Sequence, residues 1–154
     1  MIPKKIHYCW FGKNPKPDIV TKCLKSWKKY MPEYEIIEWN EDNYDINKCA
    51  YIKEAYKAGK WAFVSDYVRF DVLNSMGGIY FDTDVELLRR IPEDVLNNTA
   101  FTGMESAGKV SPGLVFASIP HHPFLEEILK VYEQSEFVQS GKRKYKTVNE
   151  VTTE

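Results

Sequence analysis

The sequence predicts a single-domain α/β fold, and three observations carry that prediction. Residues 6–11 (I-H-Y-C-W-F) and 35–39 (E-I-I-E-W) are short runs of strand formers, separated by a stretch whose apolar residues recur at helical spacing. A later passage, residues 65–84 (S-D-Y-V-R-F-D-V-L-N-S-M-G-G-I-Y-F-D-T-D), reads as a helix, a glycine break and a buried strand that delivers two carboxylates. The 154 residues are enough to bury one real core. Strand, helix and strand in that order imply a parallel βαβ start, with ligands expected beyond the carboxyl ends of the strands.

Strand one, residues 6–11, is closed by Gly12 and the loop Lys13-Asn14-Pro15-Lys16-Pro17. Asp18 follows as an N-cap, and Ile19, Val20, Cys23, Leu24 and Trp27 mark a helix that Pro32 stops. Strand two ends in the polar cluster Asn40-Glu41-Asp42-Asn43, so that Trp10 and this cluster both fall where ligands are expected. Residues 50–58 form a short helix closed by Gly59, and residues 60–75 a longer one with Gly77 as its C′ residue. At ~100° per residue Ser65, Asp66 and Arg69 share one arc, while Val64, Val68, Phe70, Val72 and Leu73 occupy much of the rest. That helix is therefore largely buried and carries its charges inward.

Residues 79–82 are the most apolar short run and suit a central strand. Val85-Glu86-Leu87-Leu88 extends away, and Ile91-Pro92 begins a turn or short helix. Residues 100–104 and 113–118 read as two more strands, joined through Glu105-Ser106-Ala107-Gly108. Pro123 opens a last helix, residues 124–132, striped by Leu125, Ile128, Leu129 and Tyr132. Residues 135–154 form a polar tail in which Lys142-Arg143-Lys144-Tyr145-Lys146 is a basic patch, suited either to solvent or to anionic lipid head groups. The chain stops on Val151-Thr152-Thr153-Glu154 without a closing core element, which points to a C-terminally truncated domain.

With 21 basic and 22 acidic residues interspersed, net charge −1, the chain lacks the stripe that a nucleic-acid partner needs, and a small molecule is the expected ligand. Trp10, Trp27, Trp39 and Trp61 all lie in the first half, as either core residues or a surface that stacks flat rings. Cys9, Cys23 and Cys49 are odd in number, lack metal-ligand spacing and sit in apolar settings, so they read as reduced thiols of a cytosolic protein. The N-terminus passes straight into a strand, without a signal peptide. No apolar run reaches the ~20 residues of a membrane span. The expected location is cytoplasmic, at most peripheral at the inner face of a membrane.

Asp82 and Asp84 carry the chemistry. On a strand successive side chains alternate faces, so Asp82 and Asp84 project the same way and the two carboxylates converge. Like charges that close need a cation between them, and hard oxygen ligands suit Mn2+ or Mg2+, which also take substrate phosphates. Asp66 and Arg69 at i, i+3 fit either a structural ion pair or part of such a site.

The block 65–84 resembles the sugar-binding DXD region of the family-32 glycosyltransferases, including the capsular polysaccharide synthesis type, and more distantly that of the large clostridial glucosylating toxins. Ile6-His7-Tyr8-Cys9-Trp10-Phe11-Gly12 resembles the same group's first nucleotide-binding strand. The resemblance implies a GT-A type nucleotide-sugar-binding fold, a Rossmann-like central sheet flanked by helices. It further implies a nucleotide-diphosphate sugar donor, a glycan or lipid-linked acceptor and transfer with retention. Asp82 and Asp84 match the metal and diphosphate motif. Asp66 and Arg69 match the S-D-x-x-R positions that hold donor sugar hydroxyls and help place the diphosphate. Tyr80 matches an aromatic near the sugar or nucleotide, and Trp10 the ring that stacks on the base.

The chain departs from this pattern in having no evident C-terminal metal ligand, which is expected beyond Glu154. His121 and His122, ahead of Pro123, are candidates for a ligand or acceptor contact or for plain exposure, and Ser111-Pro112-Gly113 for the acceptor side. Two rival readings remain at this point. I-Y-F-D-T-D-V also fits a haloacid-dehalogenase-type phosphatase with Asp82 as nucleophile, though no G-D-x-x-x-D follows and some eighty residues precede the motif. A non-catalytic nucleotide-sugar binder would keep the donor pocket without turnover.

Overall fold

In the computed structural model, which describes residues 1–104 and 110–134, a five-stranded sheet forms with the order β2-β1-β3-β5-β4. Its strands are β1 (Lys5–Cys9), β2 (Glu35–Trp39), β3 (Gly78–Tyr80), β4 (Ala100–Met104) and β5 (Val110–Ser118). The helices are α1 (Asp18–Tyr30), α2 (Ala50–Lys57), α3 (Trp61–Met76), α4 (Glu93–Leu96) and α5 (Pro123–Glu133). β1 pairs in parallel with β2 and with β3, as the βαβ reading requires, whereas β5 runs antiparallel to both β3 and β4.

Alternation along the strands sends side chains into two cores. Ile6, Tyr8, Ile79 and Ala117 pack on α1 through the fully buried Trp27. Cys9, Tyr80 and Phe116 pack on the opposite face, with Val64, Val68 and Phe70 of α3 and Leu125, Ile128, Leu129 and Tyr132 of α5. The stripe predicted for the last helix is the stripe it buries. Trp27 is a core residue, while Trp10, Trp39 and Trp61 are half-buried. Cys9 and Cys23 are buried, Cys49 is half-buried, and all three are free thiols. Among the described residues no helix is long and apolar enough to cross a membrane.

Several boundaries differ from the expected ones for identifiable reasons. Pro17 caps α1, so Asp18 is the first helical residue and its charge faces the positive end of the helix dipole instead of capping it. β5 begins at Val110, three residues earlier than expected, and runs through Pro112. Only residues 116–118 of β5 pair with β3, so on that side the N–H that proline lacks has no neighbouring strand to serve. The linker Glu105-Ser106-Ala107-Gly108 and the basic patch Lys142-Arg143-Lys144-Tyr145-Lys146 lie outside the described residues.

The correction that matters for function concerns β3, which ends at Tyr80 and not at Asp82. Its register with β1 stops at His7↔Tyr80, and after the Phe81 N–H donates to the His7 carbonyl the chain leaves the sheet. Asp82 to Val85 then form a turn closed by the Val85 N–H on the Asp82 carbonyl at 3.1 Å. Strand alternation therefore does not set the directions of Asp82 and Asp84.

The Gly77-Gly78 break couples α3 to the sheet. Gly77 has φ +68°, and a Cβ there would lie 2.7 Å from the Pro120 ring. Gly78 has φ +122°, and its Cβ would lie 2.7 Å from the Lys5 carbonyl. His7, fully buried beneath, donates from Nε2 to the Gly77 carbonyl at 2.9 Å and accepts at Nδ1 from Trp39 Nε1 at 3.1 Å. Burial holds its pKa below the ordinary value, in keeping with a neutral ring. Gly78→Ala should cost on the order of 2 kcal/mol or more, since it combines a left-handed backbone with a backbone clash. Chemical denaturation checks this, and an unchanged midpoint contradicts it.

Candidate active site

The carboxyl ends of β1 and β3 and the first turns of α3 enclose a cleft of about 550 Å³. Trp10, Asp66, Arg69, Tyr80, Asp82 and Asp84, the six residues singled out from sequence, all line it. β1 delivers Trp10 immediately after its last residue, and α3 delivers Asp66 and Arg69 from its inward arc. The turn after β3 delivers both acids.

Arg69 is the centre of the charged half. It is 3% exposed, and its Nη2 donates to Asp66 Oδ1 and to Asp82 Oδ1, each at 3.2 Å. Its Nε donates to the Ser65 carbonyl, and its guanidinium lies 4.6 Å from the centre of the Tyr80 ring. The Tyr80 hydroxyl donates to Asp82 Oδ1 at 3.1 Å. Among the described residues Arg69 Nη1 is buried without a hydrogen-bond partner. One guanidinium thus serves two carboxylates. The sequence left open whether Asp66 and Arg69 form a structural pair or part of a site; the structure shows a buried ion pair that also borders the cleft.

Burial pushes the Asp66 carboxyl up to about 7, against the pull of Arg69. Burial also penalises the Arg69 charge, but Tyr80, Asp82 and Asp66 more than offset this and hold its pKa above the usual value. Asp82 is more accessible, its side chain 39% exposed, and Asp84 is exposed.

No group of three or more His, Cys, Asp or Glu among the described residues is placed to hold a metal. Two hard carboxylates bordering one cleft fit an ion such as Mn2+ or Mg2+ that completes its shell with water and substrate phosphate. The Arg69 and Tyr80 bonds occupy Oδ1 of Asp82, which leaves Oδ2 for a ligand.

His121 and His122 do not belong to this site. They follow β5, whose last residue Ser118 pairs with Gly78, so they sit at the end of β3 opposite Asp82. The His121 N–H donates to the Asn74 carbonyl, and His122 Nδ1 accepts from the Phe124 N–H as the cap of α5. Ser111-Pro112-Gly113 lie on β5, with side chains outside the described residues. In the Asn40 cluster the Asn40 N–H donates to Asn43 Oδ1 and Asn43 Nδ2 donates to the Glu38 carbonyl, and none of its four residues lines the cleft.

Sequence reasoning left Trp61 open between core and ring-stacking surface and did not assign it to the site; it lines the cleft from the start of α3. A signal for it existed, because 61, 65 and 69 stand four apart and share a helix face.

The family described as Capsular polysaccharide synthesis protein matches residues 1–145. The chain belongs to this family. Mannosyl phosphorylinositol ceramide synthase CSH1 of Saccharomyces cerevisiae is 30% identical over 138 residues, covering 84% of this chain and 35% of that protein. Human Alpha-1,4-N-acetylglucosaminyltransferase is 39% identical over 71 residues, covering 46% of this chain and 19% of that protein. The chain thus spans about a third or less of these curated relatives. The solved PaToxG Glycosyltransferase superposes with a TM-score of 0.65 at 20% identity, over 84% of this chain and 59% of that one. The family-32 resemblance and the GT-A-like fold are both borne out. A haloacid-dehalogenase-type phosphatase would carry its acid pair on the first strand, and here the pair follows the third.

Two expectations follow from the buried charges. Above the Asp66 pKa of about 7, at pH 8, Arg69→Ala leaves an ionised Asp66 without its cation and should cost about 3–5 kcal/mol in denaturant unfolding, as breaking a buried pair does; a loss below 1 kcal/mol at that pH contradicts the pairing. Asp66 binds its proton more tightly folded (about 7) than unfolded (3.8), so the native state holds more protons between those values and its stability falls there as pH rises. Asp66→Asn should gain on the parent across that window by up to ~1.4 kcal/mol per pH unit and level off above it. Urea titrations from pH 4 to 8 read the difference, and a flat difference contradicts the shift.

Proposed function

We propose that this chain is the donor-binding part of a metal-dependent glycosyltransferase. It takes a sugar from a nucleotide-diphosphate donor to a glycan or lipid-linked acceptor, with retention, in surface polysaccharide synthesis at the cytoplasmic face of a membrane. The observation that carries the reading is that one cleft is lined both by two indole rings, Trp10 and Trp61, and by the charged groups Asp66, Arg69, Asp82 and Asp84. A nucleotide sugar has the same two-part chemistry. The family description supports a polysaccharide product. The name of a relative, Inositol phosphoceramide mannosyltransferase 3 of Schizosaccharomyces pombe, supports a lipid-linked acceptor. Retention rests on the family-32 resemblance.

On this reading Trp10 stacks on the base, a contact worth ~1–3 kcal/mol. Arg69, its planar guanidinium fixed by Asp66 and Asp82, helps to place the diphosphate. Asp66 accepts hydrogen bonds from sugar hydroxyls; a divalent cation in the cleft would favour its ionised form, the form that accepts best. Tyr80 keeps Arg69 and Asp82 in place through its ring and its hydroxyl. Asp82 and Asp84 would hold Mn2+ or Mg2+, which when bound neutralises charge on the departing diphosphate.

Incubation with a panel of UDP- and GDP-sugars plus Mn2+ tests this directly. Slow donor hydrolysis is expected, lowered on the order of 100-fold in both Asp82→Ala and Asp84→Ala. EDTA should abolish nucleoside-diphosphate binding in calorimetry. Unchanged affinity in EDTA contradicts the metal role, and tight donor binding without turnover favours a non-catalytic binder.

A further inference from the structure

The loop after β1 carries Trp10 into the cleft, yet little in the sheet holds it. Its last backbone bond to β2 is the Trp10 N–H on the Trp39 carbonyl at 2.9 Å, and beyond it Lys16 pairs with Glu38 of β2. Two consecutive residues beyond it, Gly12 at φ +95° and Lys13 at φ +60°, turn the chain through left-handed backbone. Lys13 pays for that conformation without glycine's freedom.

What fixes the loop is a closed ring of contacts drawn from four separate segments. The Gly12 N–H donates to Glu41 Oε2 at 2.5 Å, and the Tyr56 hydroxyl donates to the same oxygen at 3.0 Å. Tyr56 stands edge-on to Trp61 with ring centres 5.1 Å apart. Trp61 closes the ring by lying against Gly12, where a Cβ would fall 2.5–2.9 Å from its indole atoms. Both cleft indoles are tied into this ring, Trp61 directly and Trp10 two residues before Gly12. Glu41 itself does not line the cleft. Burial raises its pKa, but the bonds from Gly12 and Tyr56 outweigh that and hold it below the usual value.

We infer that Glu41 is a positioning residue for the nucleotide end of the cleft: by holding Gly12 and Tyr56 on one oxygen, it sets Trp10 against Trp61 and makes Trp61 a second ring wall for the base. The inference rests on the nucleotide-sugar reading above and adds to it a residue that never touches the ligand. A carboxylate suits the position because one oxygen must accept two donors at once. Removing it leaves an amide and a hydroxyl unmatched and frees the loop to leave Trp61.

The test is calorimetric binding to the full 154-residue chain of UDP, GDP and inorganic pyrophosphate, each with Mn2+. Glu41→Ala, Trp61→Ala and Gly12→Ala are each expected to weaken whichever nucleoside diphosphate the parent binds by tenfold or more. Gly12→Ala does so by pushing the loop off Trp61 while leaving Glu41 intact. Pyrophosphate affinity should stay within twofold in all three. Glu41→Gln, which keeps an acceptor oxygen, and Trp61→Phe, which keeps a ring, should each recover most of the loss. Variants are compared at matched folded fraction from their melting curves. Glu41→Ala binding as the parent does overturns the inference, and so does a parallel loss of pyrophosphate, which would mark a merely structural role. If the parent binds pyrophosphate but neither nucleotide, the nucleotide-sugar reading fails first and takes this inference with it.

Discussion

Two carboxylates share one buried guanidinium, and the shape of the cleft depends on that arrangement. Arg69 is nearly inaccessible, and its charge is tolerable there only because Asp66 lies on one side and Asp82 on the other, with the Tyr80 ring beneath. A buried ion pair seldom adds net stability compared with an apolar core. An Arg–Asp–Asp triad under a cleft is therefore better explained by what it can bind than by what it holds up. The unmatched Nη1 points the same way, since buried donors are rarely left without a partner.

The fold places this triad through one abrupt passage. α3 ends where Gly77 adopts φ +68°, and two residues later the chain is already paired with β1. The passage is tight because His7, Lys5 and Pro120 crowd both glycines. α3 and β3 consequently run side by side, so that Arg69, midway along the helix, meets Asp82 just past the strand. The same short β3 frees Asp82 and Asp84 from the sheet and lets a turn present them at the rim. The cleft is assembled from a short stretch of chain, since every residue that lines it lies between Cys9 and Asp84.

Much of this was legible in the residues themselves. The parallel start, the inward charges of α3 and the stripe of α5 followed from period and punctuation, because each is decided by local pattern and burial. The end of β3 was not legible. Phe81 and Asp82 look like strand, and only the three-dimensional register with β1 stops the pairing at Tyr80. His121 and His122 looked available for chemistry because sequence does not say which end of the sheet a loop reaches. Trp61 was hidden for a subtler reason, since an aromatic at the start of a largely apolar helix reads as core. Glu41 stood in a polar turn whose partner, Gly12, is 29 residues away.

The central claim is that Asp82 and Asp84 grip a divalent ion that in turn holds a diphosphate within reach of Arg69. Crystals grown with Mn2+ and a nucleoside diphosphate, measured at the manganese absorption edge, test it most directly. The account predicts one anomalous peak between the two carboxylates, with phosphate oxygens on the ion and the base beside Trp10. A nucleotide bound elsewhere, or bound in this cleft with no metal at the two acids, would contradict it.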